Sequence, residues 1–166
     1  MNPPILLKMM AQLNRSGLEE AFLLYLLGNK APSSYKPVKH VTPVDRQHAV
    51  EILIAEAHHI DWTAANLVIG RANRFFKYGR PFVRTIRPRI PVLNNLKTVR
   101  NAVSHFSAES KEKFKVLVRN ELTYYPAGMT PGSFLMTPKP NMNPPETFFV
   151  CYAGHLRAMV ESIVPE

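Results

Sequence analysis

Arg100, Asn101, Ser104 and His105 put a guanidinium, a carboxamide, a hydroxyl and an imidazole within six residues. An imidazole exchanges protons near neutral pH and can serve as a general base or acid. A guanidinium is always charged and offers a rigid fork that suits a phosphate and the charge developing on it. The chain has 11 Arg, 11 Asn and 6 His in 166 residues. With those counts an Arg followed by His at one of a few spacings arises roughly once by accident. Requiring Asn directly after the Arg lowers that to a few per cent, so Arg-Asn-x3-His is the more specific pattern.

These residues ride on an element the sequence predicts as a helix. Pro91 suits a first helical turn, where its missing N–H costs nothing. Val92, Leu96, Val99, Val103 and Phe106 then recur at steps of four, three, four and three, a single apolar stripe. Asn101 falls opposite the centre of that stripe, with Arg100 and Ser104 beside it. His105 stands four residues on, so the Asn101 and His105 side chains are expected to be neighbours. The plain alternative is the polar face of an ordinary amphipathic helix.

Arg100-Asn101-Ala102-Val103-Ser104-His105 resembles the signature of HEPN domains, and Phe106 to Phe114 is similar to bacterial members of that family. The resemblance runs from about Pro43 to Ile163. It implies an all-α, HEPN-like up-and-down helical bundle at 43–166, preceded by an N-terminal helical segment and linker at 1–42. It also implies a metal-independent endoribonuclease in which the motifs of two subunits meet at a homodimer interface. His105 would be the general base or acid for attack by the RNA 2′-hydroxyl, Arg100 would hold the scissile phosphate, and Asn101 would orient the site. A toxin or anti-phage defence role follows, with an antitoxin or activator protein as a further partner. One toxin branch carries Tyr two residues after the His, where this chain has Ser107, so that branch is not assigned. Some HEPN domains do not cleave, which keeps a non-catalytic RNA-binding or protein-interaction module as the alternative. A structural dimerisation domain is a third reading.

Charge distribution favours a polyanionic partner. The formal net charge is +9, and no acidic residue occurs between Asp61 and Glu109. The same interval holds nine Arg and Lys residues and leads into the motif, which is the footprint of nucleic-acid binding. Arg71 and Arg74 share a helix side at i, i+3. With Arg84, Arg87, Lys97 and Ser104 they are the candidate RNA contacts. Tyr78 and Phe82 either stack on bases or pin the basic segment to the core.

Other chemistries lack a carrier. Cys151 is the single cysteine, which excludes an intramolecular disulfide and a Cys-based zinc site. His58 and His59 point about 100° apart on a helix and chelate poorly. There is no Gly-rich phosphate loop, and the 12 acidic residues are scattered, so no metal or cofactor is expected. No stretch approaches about 18 uninterrupted apolar residues and no leader is read at the N-terminus. A cytoplasmic protein with no membrane contact is the expectation.

The remaining elements follow from periodicity. A helix is expected from Pro3 to Leu13 and another over Leu18–Leu27, with a linker over 31–42. Thr42 is the expected cap of a helix over 43–60 that buries Val50, Leu53, Ile54 and Ala57. Asp61 caps the next, which buries Ala65, Val68, Ile69, Ala72 and Phe76. Residues 78–90 read as a Pro-broken basic loop. Ser107 or Ser110 caps a helix burying Phe114, Leu117, Val118 and Leu122. Residues 123–145 read as a long connection without periodicity, and 146–164 as the closing helix.

Overall fold

A computed structural model describes residues 17–54, 61–105 and 107–165. Helix runs over residues 17–27 (α1), Arg46–Ile54 (α2), Ala65–Phe75 (α3), Phe82–Ile86 (α4), Ile90–Ser104 (α5), Ala108–Leu122 (α6), Pro131–Met136 (α7) and Phe148–Ile163 (α8). Single 3-10 turns lie at Lys77–Gly79 and Arg87–Arg89. Among the described residues there is no strand, only the isolated bridges Lys39 with Phe76 and Pro138 with Thr147. The all-α class is therefore observed. The helix expected over Pro3–Leu13 lies outside the described residues, as do Ala57, His58, His59 and Phe106.

The chain divides into two compact units, one built on Pro91–Leu156 and the other on the described part of 13–90 with 157–165. The second unit is organised around Phe22 of α1. Its ring centroid lies 4.8 Å from Phe82, 4.9 Å from Phe76, 5.3 Å from Trp62 and 6.0 Å from Phe75. Each such pair contributes about 0.5–1.5 kcal/mol beyond the area it buries. Helix α1 stops at Gly28, which takes a φ of +93°. The Gly28 N–H donates to the Tyr25 carbonyl and the Asn29 N–H to that of Leu24, each at 3.0 Å, a Schellman end that needs a left-handed residue. Lys39 Nζ donates to the Leu26 carbonyl at 2.8 Å, covering another free end group. A two-bonded Arg46–Glu20 pair, at 3.0 and 2.7 Å, joins α1 to α2.

Three sequence expectations shift here. The cap of α2 is Asp45, whose Oδ1 accepts from the His48 N–H at 2.8 Å; Thr42 lies too far upstream. Asp61 Oδ1 accepts from the Thr63 N–H at 2.9 Å, but this forms a separate turn, and α3 starts only at Ala65. The expected basic loop over 78–90 is ordered as turn, helix and turn. Phe82, Val83, Thr85 and Ile86 of α4 are all buried, so Phe82 pins this segment to the core while Tyr78 is 73% exposed.

The first unit has its own core. Val99, Phe114, Leu117, Val118, Leu122, Phe134, Leu135, Phe148 and Tyr152 form one buried cluster. All four residues expected to be buried on α6 are in it. Ser107 caps that helix, accepting from the Ser110 N–H at 3.2 Å. The 123–145 connection is not structureless, because it contains α7. There Thr130 and Ser133 cap each other reciprocally with Pro131 in the first turn. Phe134 of α7 stacks on Phe148 at 4.4 Å and meets Phe114 edge-on at 5.9 Å.

Candidate functional site

The motif occupies the last turn of α5. Val99 is fully buried, and Val92, Leu96 and Ala102 pack on the same cluster. That anchoring turns Arg100 and Asn101 to the half-buried rim and leaves Ser104 exposed. Leu93 is also buried on α5, although it falls outside the expected stripe.

Arg100 Nη2 donates to Asn101 Oδ1 at 3.1 Å. This bond aims the guanidinium and fixes which way the Asn101 amide points. Arg100 makes no ion pair among the described residues. Its charge is therefore not spent on a carboxylate of the described residues.

His105 lies one residue beyond the helix. Its backbone N–H still closes the last turn, donating to the Asn101 carbonyl at 2.8 Å. No hydrogen bond joins the Asn101 and His105 side chains among the described residues: the Asn101 amide oxygen accepts from Arg100, and His105 is exposed. Asn101 is thus the hub, tied to Arg100 through its side chain and to His105 through its backbone. A short link carries the chain from His105 to the Ser107 cap of α6. At the start of α6, Lys113 holds Glu109 at 2.6 Å. Its hydrogen bond and charge keep the Glu109 carboxyl below the usual range. Lys115 and Arg119 share Glu112 at 3.5 and 3.7 Å.

Lys97 and Ser104 belong to the same helix as the motif. Arg71, Arg74, Arg84 and Arg87 belong to the other unit. Arg71 is half-buried with its guanidinium 5.8 Å over the Trp62 ring, which gives it a packing role. Arg74, Arg84 and Arg87 are exposed. Arg84 faces a cavity of about 480 Å³ together with Arg80, Arg89 and Tyr35. The sequence reading missed those three neighbours. The Arg80/Arg84/Arg89 spacing was visible, but nothing in the linker marked Tyr35 as joining it.

No group of three or more His, Cys, Asp or Glu side chains is placed to hold a metal among the described residues. No helix among them is long and apolar enough to cross a membrane. The chain matches no family model, no curated protein and no solved structure.

Proposed function

We propose that the protein is a metal-independent endoribonuclease of the HEPN kind, with a composite site made by the Arg100–Asn101–His105 motifs of two copies. The observation that carries this reading is the Arg100–Asn101 bond, which orients a guanidinium with no ion pair among the described residues at the helix end that the exposed His105 follows. In the reaction, one His105 takes the proton of the RNA 2′-hydroxyl. The freed oxygen attacks the adjacent phosphorus and the bond to the 5′-oxygen breaks. That oxygen receives a proton from the second copy's imidazole or from water, giving a 2′,3′-cyclic phosphate and a 5′-hydroxyl. Arg100 offsets the negative charge that builds on the non-bridging oxygens. Arg74, Arg84, Arg87 and Lys97 supply sequence-independent contacts to the RNA backbone. The implied setting is a cytoplasmic toxin or anti-phage effector governed by an antitoxin or activator.

The test is RNA cleavage in EDTA by the wild type and by His105→Ala, with binding to the same RNA measured in parallel. Cleavage by the wild type alone, at equal binding, supports the reading. Cleavage that persists in the variant overturns it. Binding by both without cleavage by either replaces it with the second reading, an RNA-binding module, which the exposed Arg74, Arg84 and Arg87 favour.

A further inference from the structure

We infer that the unit built on α1–α4 carries a pocket for the terminal phosphate of a nucleotide, formed by Arg80, Arg84 and Arg89 with Tyr35. The inference does not rest on the Arg100–His105 motif and shares none of its residues. The three guanidiniums come from the turn before α4, from α4 itself and from the 3-10 turn after it. All three line a cavity of about 480 Å³, whose lining among the described residues contains no carboxylate. None of the three pairs with an acid among the described residues. Concave sites of roughly 300–1,000 Å³ are the usual size for small ligands.

Arg89 is the preorganised member. Its Nη1 donates to the Thr85 carbonyl at 2.8 Å, while its Nε is buried with no hydrogen-bond partner among the described residues. With Nη1 anchored on Thr85, the guanidinium gives up little side-chain freedom in meeting an anion in the cavity it lines. Tyr35 supplies an aromatic wall. Its ring is held edge-on against Tyr25 at 6.2 Å, and the Tyr25 hydroxyl donates to the Ile163 carbonyl at 2.6 Å. Arg80 lies near enough to oppose the upward push that burial gives the Tyr35 phenol.

The charge and shape select among phosphates. Three guanidiniums in a concavity match a terminal, dianionic phosphate better than an internal phosphodiester, which carries one charge and needs an exit on both sides. The volume far exceeds a phosphate ion and leaves room for a nucleoside against Tyr35. The phosphate comes either from a free nucleotide or from the end of an RNA strand.

The experiment is calorimetric titration of the whole chain with inorganic phosphate, AMP, adenosine and a short RNA carrying either a 5′-phosphate or a 5′-hydroxyl. Phosphate and AMP are expected to compete for one site that adenosine does not occupy. Arg84→Gln should weaken AMP binding about tenfold or more, whereas Lys30→Gln, which removes the same charge elsewhere, should leave it unchanged. Ser162→Phe, which fills the cavity without touching a charge, should weaken it as well. Tighter binding of AMP than of the 5′-phosphorylated RNA identifies a free nucleotide, and the reverse identifies a strand end; both sustain the pocket. Absence of phosphate and AMP binding at millimolar concentration overturns it. So does AMP binding insensitive to both Arg84→Gln and Ser162→Phe.

Discussion

The side chain of Asn101 accepts a hydrogen bond from Arg100 at 3.1 Å, while its backbone carbonyl accepts one from the His105 N–H at 2.8 Å. One residue therefore sets the direction of the guanidinium and the position where the histidine leaves the helix. Arg100→Lys keeps the charge but loses the planar fork and its contact with Asn101. On the proposed reading it lowers the cleavage rate about a hundredfold, with RNA binding within a few-fold of wild type. Asn101→Ala frees the guanidinium to swing and lowers the rate about tenfold. Single-turnover cleavage beside a binding isotherm checks both. A loss of binding matching the loss of rate would make the pair a binding element only.

Gly79 has a φ of +63°, and a Cβ there would stand 2.2 Å from Val83 Cγ2 and 2.6 Å from Asn73 Oδ1. Val83 is buried against the core and has no room to retreat, whereas the exposed Asn73 side chain can swing away. Gly79→Ala is expected to destabilise the protein by about 2–4 kcal/mol, from backbone strain and overpacking together. Urea unfolding measures this. A change under about 0.5 kcal/mol would mean that the turn leading to Arg80 is not fixed by this glycine.

The sequence displayed the long helices and hid the short ones, for a geometric reason. Phe114, Leu117, Val118 and Leu122 repeat over more than two turns of α6, so their stripe stands out and all four are buried. Helix α7 has six residues, too few for any stripe to repeat, and prolines on both sides disguise it as a loop. Its legible signal was local: Thr130, then Pro131, then Ser133, the chemistry of a capped start. Helix α4 was masked in the same way by Pro81 and Pro88. The cluster Arg100, Asn101 and His105 was legible as neighbours on one turn. The choice of partner was not, because one amide oxygen can serve either Arg100 or His105, and only side-chain packing decides. The cavity lined by Tyr35 and Arg89 joins residues more than fifty positions apart, and no periodicity reports such a meeting.

Phe134 tests whether the 123–145 connection belongs to the core. Its ring is fully buried between Phe148 and Phe114. Phe134→Ala should cost about 3–5 kcal/mol, read as a shift in the urea midpoint at unchanged slope. A cost below about 1 kcal/mol would return this segment to the status of a loose loop.

Tyr152 makes stability depend on alkaline pH. Its hydroxyl is buried, and no partner stands at hydrogen-bonding geometry among the described residues. Burial foremost, and then the negative charge of Glu121, push its pKa far above the usual phenol value, with Asn95 acting in the opposite direction. The folded chain thus keeps this proton where the unfolded chain, near pH 10, gives it up. Between those two values the folded state binds more protons, so stability falls as pH rises; below about pH 10 the contribution is fully present. Tyr152→Phe removes the titration together with an unsatisfied hydroxyl. At pH 7 its melting temperature should equal or exceed that of wild type. From pH 9.5 to about pH 11 it should fall less steeply. Tyr25 and Tyr35 are also shifted upward, chiefly by burial, so part of the slope remains in the variant. Circular-dichroism melting across that range decides the matter: parallel curves for the two proteins would remove Tyr152 from the alkaline transition.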